Sequence, residues 1–185
     1  MLMSLHYEIT QNRKVILERC FNLITDTYPS ETAQFLKQEK DRFKNPVGYN
    51  IKNGIETIFE ELTGEMDSNK LNAALENIIK IMAVQDFSPS EAVGFVFLLK
   101  KTVIETTMGG EYRYKKVRDI NSNESIGEQR SRFKENESAI FEELFEIEQR
   151  IDRIALLAFD IYMQCRDKIN EIKSKGLNTK VNYGK

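Results

Sequence analysis

Side chains able to do chemistry are scarce in this chain of 185 residues, which has one histidine, two cysteines and no tryptophan. Nucleophilic catalysis of the familiar kind needs a serine or cysteine beside a general base. The only histidine, His6, lies close to the N-terminus, where it reads as a partly exposed helix residue. Di-iron bundles carry Glu-x-x-His pairs on facing helices, and the sequence has none. Haem wants an axial histidine, cysteine, methionine or tyrosine facing a pocket. With no histidine beyond the first helix, Met82, Tyr49 or another core residue would have to supply such a contact. Gly109-Gly110 lacks the third spaced glycine and the lysine-serine ending of a phosphate loop. Glu142, Glu143, Glu146 and Glu148 have no partners at metal-ligand spacing and read as a hydrated helix face. Cys20 and Cys165 lack a metal or redox partner and read as small buried hydrophobes. These features point away from an enzyme, and toward a protein with no cofactor and no metal.

One cluster could touch a partner: Tyr112, Arg113, Tyr114, Lys115, Lys116 and Arg118. Such residues can stack on bases and contact phosphates. The formal net charge of −2, however, gives no general attraction to nucleic acid or to acidic membranes. The cluster therefore reads as a solvated loop or a protein-contact site, and neither nucleic acid nor membrane is an expected partner.

The elements that would hold any site are helical. Hydrophobic residues make up 41% and charged ones 30%, with three prolines and nine glycines, a globular and helix-leaning balance. Residues 5–27 place Leu5, Ile9, Val15, Ile16, Cys20, Leu23 and Ile24 mostly three or four apart, which predicts one helix with one buried face. Pro29-Ser30-Glu31 opens a short second helix that runs to just before Asn45-Pro46. There Asn45 can cap and Pro46 can lead a third helix, carrying Val47, Ile51, Ile55, Ile58, Phe59 and Leu62 as far as Thr63-Gly64. Gly48 and Gly54 lie inside that helix, each costing up to about 1 kcal/mol relative to alanine, so something must approach closely. A neighbouring helix is one explanation, and a ligand in the same groove is the other.

Asp67 or Ser68 begins the fourth helix. It ends at the next start signal, where Ser88 caps, Pro89 takes the first helical position and Glu91 completes a capping box. The fifth helix carries Ala92, Val93, Phe95, Val96, Phe97, Leu98 and Leu99, apolar almost all round, and must be enclosed by neighbours. Its uncharged run is too short to cross a bilayer. The helix ends near Met108-Gly109-Gly110, and residues 108–131 read as an exposed connection.

In the last helix Ile140, Leu144, Ile147, Ile151, Ile154, Ala158, Ile161 and Cys165 alternate steps of four and three. That heptad seam predicts a homodimer interface, with packing inside the monomer as the competing explanation. Ala155, Leu156, Leu157, Phe159, Tyr162 and Met163 widen the apolar surface there, so one side of the helix is expected to face its own bundle and another a partner. The expected architecture is all-α: a single bundle of about six helices over residues 1–176, globin-like or up-and-down, with a long C-terminal helix and a flexible tail at 177–185. No secretory signal occupies the first ten residues, so the cytoplasm is the expected compartment.

Two phrases add what periodicity cannot. Phe43-Lys44-Asn45-Pro46-Val47-Gly48-Tyr49, followed by Val84-Gln85-Asp86-Phe87-Ser88-Pro89-Ser90-Glu91-Ala92-Val93-Gly94-Phe95, resembles the N-terminal domain of RsbT co-antagonist proteins of the RsbRD type. The likeness covers residues 13–107 and includes the order of the helices. It implies a helical sensory module, which in that family is joined to a phosphorylatable STAS domain and helps control a general stress response by partner switching. The related stressosome sensor domains are globin-like dimers that bind no haem. The chain ends soon after its last helix, which leaves no room for a STAS domain of ordinary size. A stand-alone sensor without the phosphorylation switch is therefore expected.

The two phrases together define the expected ligand or signal groove: Asn45, Pro46, Val47, Gly48, Tyr49, Val84, Gln85, Asp86, Phe87, Ser88, Pro89, Val93 and Gly94. The reading is a non-enzymatic sensory or regulatory domain that dimerises through its last helix and meets a further regulatory protein. A globin-like carrier of haem or a small ligand, and a scaffold or adaptor, are the alternatives.

Overall fold

A computed structural model describes residues 4–108 and 126–182. Among the described residues the chain is all-α, with seven helices and no strand. They are α1 (Leu5–Gln11), α2 (Arg13–Thr25), α3 (Ser30–Gln38), α4 (Pro46–Thr63), α5 (Ser68–Val84), α6 (Pro89–Met108) and the long α7 (Ile126–Asn182).

Local chemistry sets most of these boundaries. Asn45 Oδ1 accepts from the Gly48 amide at 2.8 Å and Pro46 opens α4. Asp67 Oδ1 accepts from the Asn69 and Lys70 amides to start α5. At α6 the capping box closes in both directions, the Ser88 amide donating to Glu91 Oε2 at 2.8 Å and the Glu91 amide to Ser88 Oγ at 3.3 Å.

Three expectations change. The helix predicted over residues 5–27 is broken at Asn12, whose side-chain amide donates to Glu8 O at 2.8 Å and satisfies the end of α1 locally. Buried Leu5, Ile9, Ile16, Cys20 and Ile24 keep one inward line across that break, so their spacing alone looks like a single helix. The second predicted helix stops at Gln38, well before Asn45, because Glu39 turns extended and the Asp41 carboxylate accepts from the Phe43 amide in a local turn. Residues 126–131, expected in the exposed connection, are the first turns of α7, which also continues to Asn182 through most of the expected tail. The remainder of that connection, with the Tyr112 to Arg118 cluster, lies outside the described residues.

Helix α4 lies along α5, α2 along α4 and α6, and α7 along both α5 and α6. Gly54 is where α4 and α5 approach: a Cβ there would stand 2.6 Å from Ile78 Cδ1 and 3.3 Å from Ala74 O. At Gly48 the close neighbour is the cap of its own helix, since a Cβ would run into the Asn45 side chain folded over the first turn.

The seam of α7 faces inward. Ile147, Ile151, Ile154, Ala158 and Ile161 are buried within one chain, and half-buried Leu144 and Cys165 pack against the same core. Most of the surface assigned from sequence to a second copy is thus filled by this chain's own α5 and α6. The physical reason is α6: Phe95, Val96, Leu99 and Val103 are buried beside Ala92, and a helix that apolar needs a long neighbour to cover it. On its other side α7 leaves Phe141, Phe145, Leu156, Phe159 and Met163 exposed.

Candidate functional site

Two features of the folded chain could receive or pass on a signal: the turns at the ends of α5, and a cleft between α2, α3 and α4.

The turns are held by α7. Arg150 Nη1 donates to the carbonyl oxygens of Leu62 at 3.1 Å and Gly64 at 2.7 Å, gripping the turn before α5. The Tyr162 hydroxyl donates to Phe87 O at 2.6 Å, and Arg166 Nη1 donates to Ala83 O at 3.3 Å and Asp86 Oδ1 at 2.8 Å, gripping the turn after it. Arg150 and Arg166 are sixteen residues apart on α7, a rise of about 24 Å, which matches the length of the seventeen-residue α5. One helix therefore spans and clamps both ends of another that runs in the same direction.

The clamped turns also hold the two non-glycine residues with positive φ among the described residues, Met66 and Asp86, each at 58°. That conformation costs roughly 1–2 kcal/mol for a residue such as methionine and persists where its surroundings enforce it. Tyr28, at the end of α2, reaches the second turn as well. Its hydroxyl donates to Gln85 Oε1 at 3.1 Å, its ring packs 5.2 Å from that of Phe87, and burial pushes its phenol pKa up.

The hydrogen bond from Arg166 holds the Asp86 carboxyl below its ordinary range, helped by the charges of Lys173 and Arg166. A carboxyl whose folded pKa lies below its unfolded one contributes stability above the unfolded value and loses it as pH falls through the folded value. Asp86→Asn is accordingly expected to narrow the drop in urea midpoint between neutral pH and acid below the carboxylate range. An unchanged drop would contradict this role for the pair.

The cleft between α2, α3 and α4 has a volume of about 840 Å³, within the usual range for small-molecule sites. Leu17, Leu36 and Ile55 supply apolar surface, while Lys14, Lys40, Lys52 and Tyr49 stand around it. From the expected groove it takes Asn45, Gly48 and Tyr49, and no residue of 84–94 lines it. The two phrases therefore do not share this cavity. Asn45 itself is fully engaged, its amide nitrogen donating to Leu36 O at 2.9 Å and Glu39 O at 3.0 Å to tie α3 to the start of α4. Pro46 is exposed and Val47 half-buried. In the second phrase Gln85, Asp86 and Phe87 belong to the clamped turn, Ser88 and Pro89 to the cap, and Val93 to the core. Val84 is exposed, and Gly94 has open space where a Cβ would stand.

Burial pushes the Cys20 thiol up to about 12 against a smaller opposing effect of its hydrogen bond with Thr102, which keeps it protonated. Among the described residues no group of three His, Cys, Asp or Glu side chains could hold a metal ion. No helix among them is long and apolar enough to cross a membrane.

The family model of the RsbT co-antagonist protein rsbRD N-terminal domain matches residues 14–114, more than half of the chain. The chain belongs to that family. Comparison with curated proteins and with solved structures gave no match. RsbRD N-terminal domains are regulatory, in general non-catalytic, and membership points to a sensory role in stress signalling. The matched span includes almost all of α2, then α3 to α6, with both turns that α7 clamps, while Arg150, Tyr162 and Arg166 lie beyond it. Sequence reading of this RsbRD N-terminal domain assigned Tyr162 only to the apolar surface of the last helix and singled out neither Arg150, Arg166 nor the cleft lysines. Tyr162 gave a usable signal, because a tyrosine within a buried helix face needs a hydrogen-bond partner for its hydroxyl.

Proposed function

We propose that this chain is a sensory and regulatory module of cytoplasmic stress signalling that acts through protein contacts and catalyses no reaction. It works as a homodimer and engages a further regulatory protein. The observation that carries this reading is the dual role of α7: its inner side clamps both ends of α5, and its outer side exposes an apolar stripe at Leu156, Phe159 and Met163 among charged side chains such as Asp152. A shift at either α5 turn would reach the outer side through Arg150, Tyr162 and Arg166.

The outer side is supported as the seat of the second copy by Leu156, Phe159 and Met163, which follow steps of three and four, the spacing by which paired helices interlock. The same stripe on a partner helix offers matching aromatic and aliphatic surface. Family membership supports the sensory class. Sedimentation equilibrium over a concentration series is expected to give a monomer–dimer equilibrium. A chain that stays monomeric throughout would overturn the dimer.

A further inference from the structure

Five cationic and three carboxylate side chains line the cleft between α2, α3 and α4, an excess of positive charge on a chain whose net charge is −2. The cations are not equivalent. Arg13 is engaged by Glu60 at 2.9 Å and Glu56 at 3.7 Å, and Lys37 by Asp26 at 2.6 Å. Lys14, Lys40 and Lys52 make no ion pair among the described residues, although Glu18 and Glu56 sit one helical turn after Lys14 and Lys52. Lysine preceding glutamate by four is the weaker order for such a pair, and here neither closes. Three separate segments thus bring three uncommitted ammonium groups to one cavity.

Beneath these charges the cavity is apolar. Leu17, Leu36 and Ile55 come from α2, α3 and α4 and are nearly buried, and Phe21 and the half-exposed Tyr49 add aromatic surface. We propose that this cleft binds a small phosphorylated molecule with an apolar or aromatic body. The body would lie on the apolar surface and the phosphate among Lys14, Lys40 and Lys52. A phosphate monoester carries close to two negative charges and three strong acceptor oxygens, enough to engage several ammonium groups at once. The only guanidinium lining the cleft, that of Arg13, is already paired, so an anion there would be met by ammonium point charges, which attract a doubly charged phosphate more strongly than a singly charged carboxylate. The proposal rests on the sensory reading above and gives that reading a class of ligand.

Calorimetric titration of the full chain with 1-naphthyl phosphate, 1-naphthol and inorganic phosphate tests it. The aryl phosphate is expected to bind saturably and more tightly than either of the other two, with affinity falling as salt is raised. In the variant K14Q/K40Q/K52Q its affinity should fall about tenfold or more. All three positions are exposed, so helix content should hold. If the triple variant loses its helical circular dichroism, the single variants carry the same comparison with smaller losses. Absence of saturable binding, equal affinity for 1-naphthol, or affinity unchanged by the lysine substitutions would overturn the proposal. Each of those failures leaves the oligomer measurement intact, because no residue of α7 lines the cleft.

Discussion

Replacing Ile151 by lysine is expected to unfold the chain. Ile151 is fully buried in the middle of the α7 seam, against α5 and α6 of the same chain. Among the described residues the one buried carboxylate is Glu61, which is already held by Lys70 at 3.1 Å and by the Asp67 amide at 2.8 Å. An unpaired ammonium there costs several kcal/mol in desolvation, on top of the roughly 1.5–3 kcal/mol lost with the isoleucine. Total stabilities run to about 5–15 kcal/mol, so the loss takes most or all of it. The milder Ile151→Ala should lower stability by about 2–5 kcal/mol in urea denaturation. A seam lying between copies would behave otherwise, and Ile151→Lys would then give a folded monomer. Recovery of such a monomer with full helical circular dichroism would contradict the placement of the seam inside the chain.

The opposite result is expected for the outer side of the same helix. Leu156 and Phe159 are 68% and 45% exposed, so glutamate at both positions removes nothing from the core. Burial of each such side chain against a second copy is worth up to about 1.5–3 kcal/mol, and each interface would lose it from both partners. Leu156→Glu combined with Phe159→Glu should therefore weaken the proposed dimer by about a hundredfold or more, with the urea midpoint unchanged at low protein concentration. Sedimentation equilibrium reads the first quantity and circular dichroism the second. A double variant as dimeric as the parent chain would place the contact elsewhere.

The helix starts were legible because each is written in adjacent residues. Asn45-Pro46, Asp67 and Ser88-Pro89-Ser90-Glu91 cap their helices with their own side chains, and the cap distances follow. The apolar seam of α7 was legible as a seam, but its partner was not. Steps of four and three say that one side of a helix must be covered, and they are silent on whether the cover comes from the same chain or another. The break at Asn12 was hidden for a related reason, since the inward line from Leu5 to Ile24 passes over it.

The candidate site was legible only in part. Gly48 was singled out for the cost of a glycine inside a helix, yet its close neighbour is the capping side chain of Asn45 and not a second helix. The clamp on α5 depends on residues in three distant stretches, with Arg150 and Arg166 some eighty positions from the carbonyl oxygens they hold. Lys14, Lys40 and Lys52 look like ordinary solvated charges in sequence, and only the packing of α2, α3 and α4 gathers them around one cavity.

Coupling between the α5 turns and the outer side of α7 is tested most directly by the dimer dissociation constant of the Tyr162→Phe, Arg166→Ala double variant. Neither side chain belongs to the exposed apolar stripe, but both fix α7 to the turn after α5. If that clamp sets the geometry of the helix, its loss should shift the constant by at least about fivefold while helix content is retained. A constant equal to that of the parent chain, in a variant that remains folded, would contradict a path from these turns to the dimer.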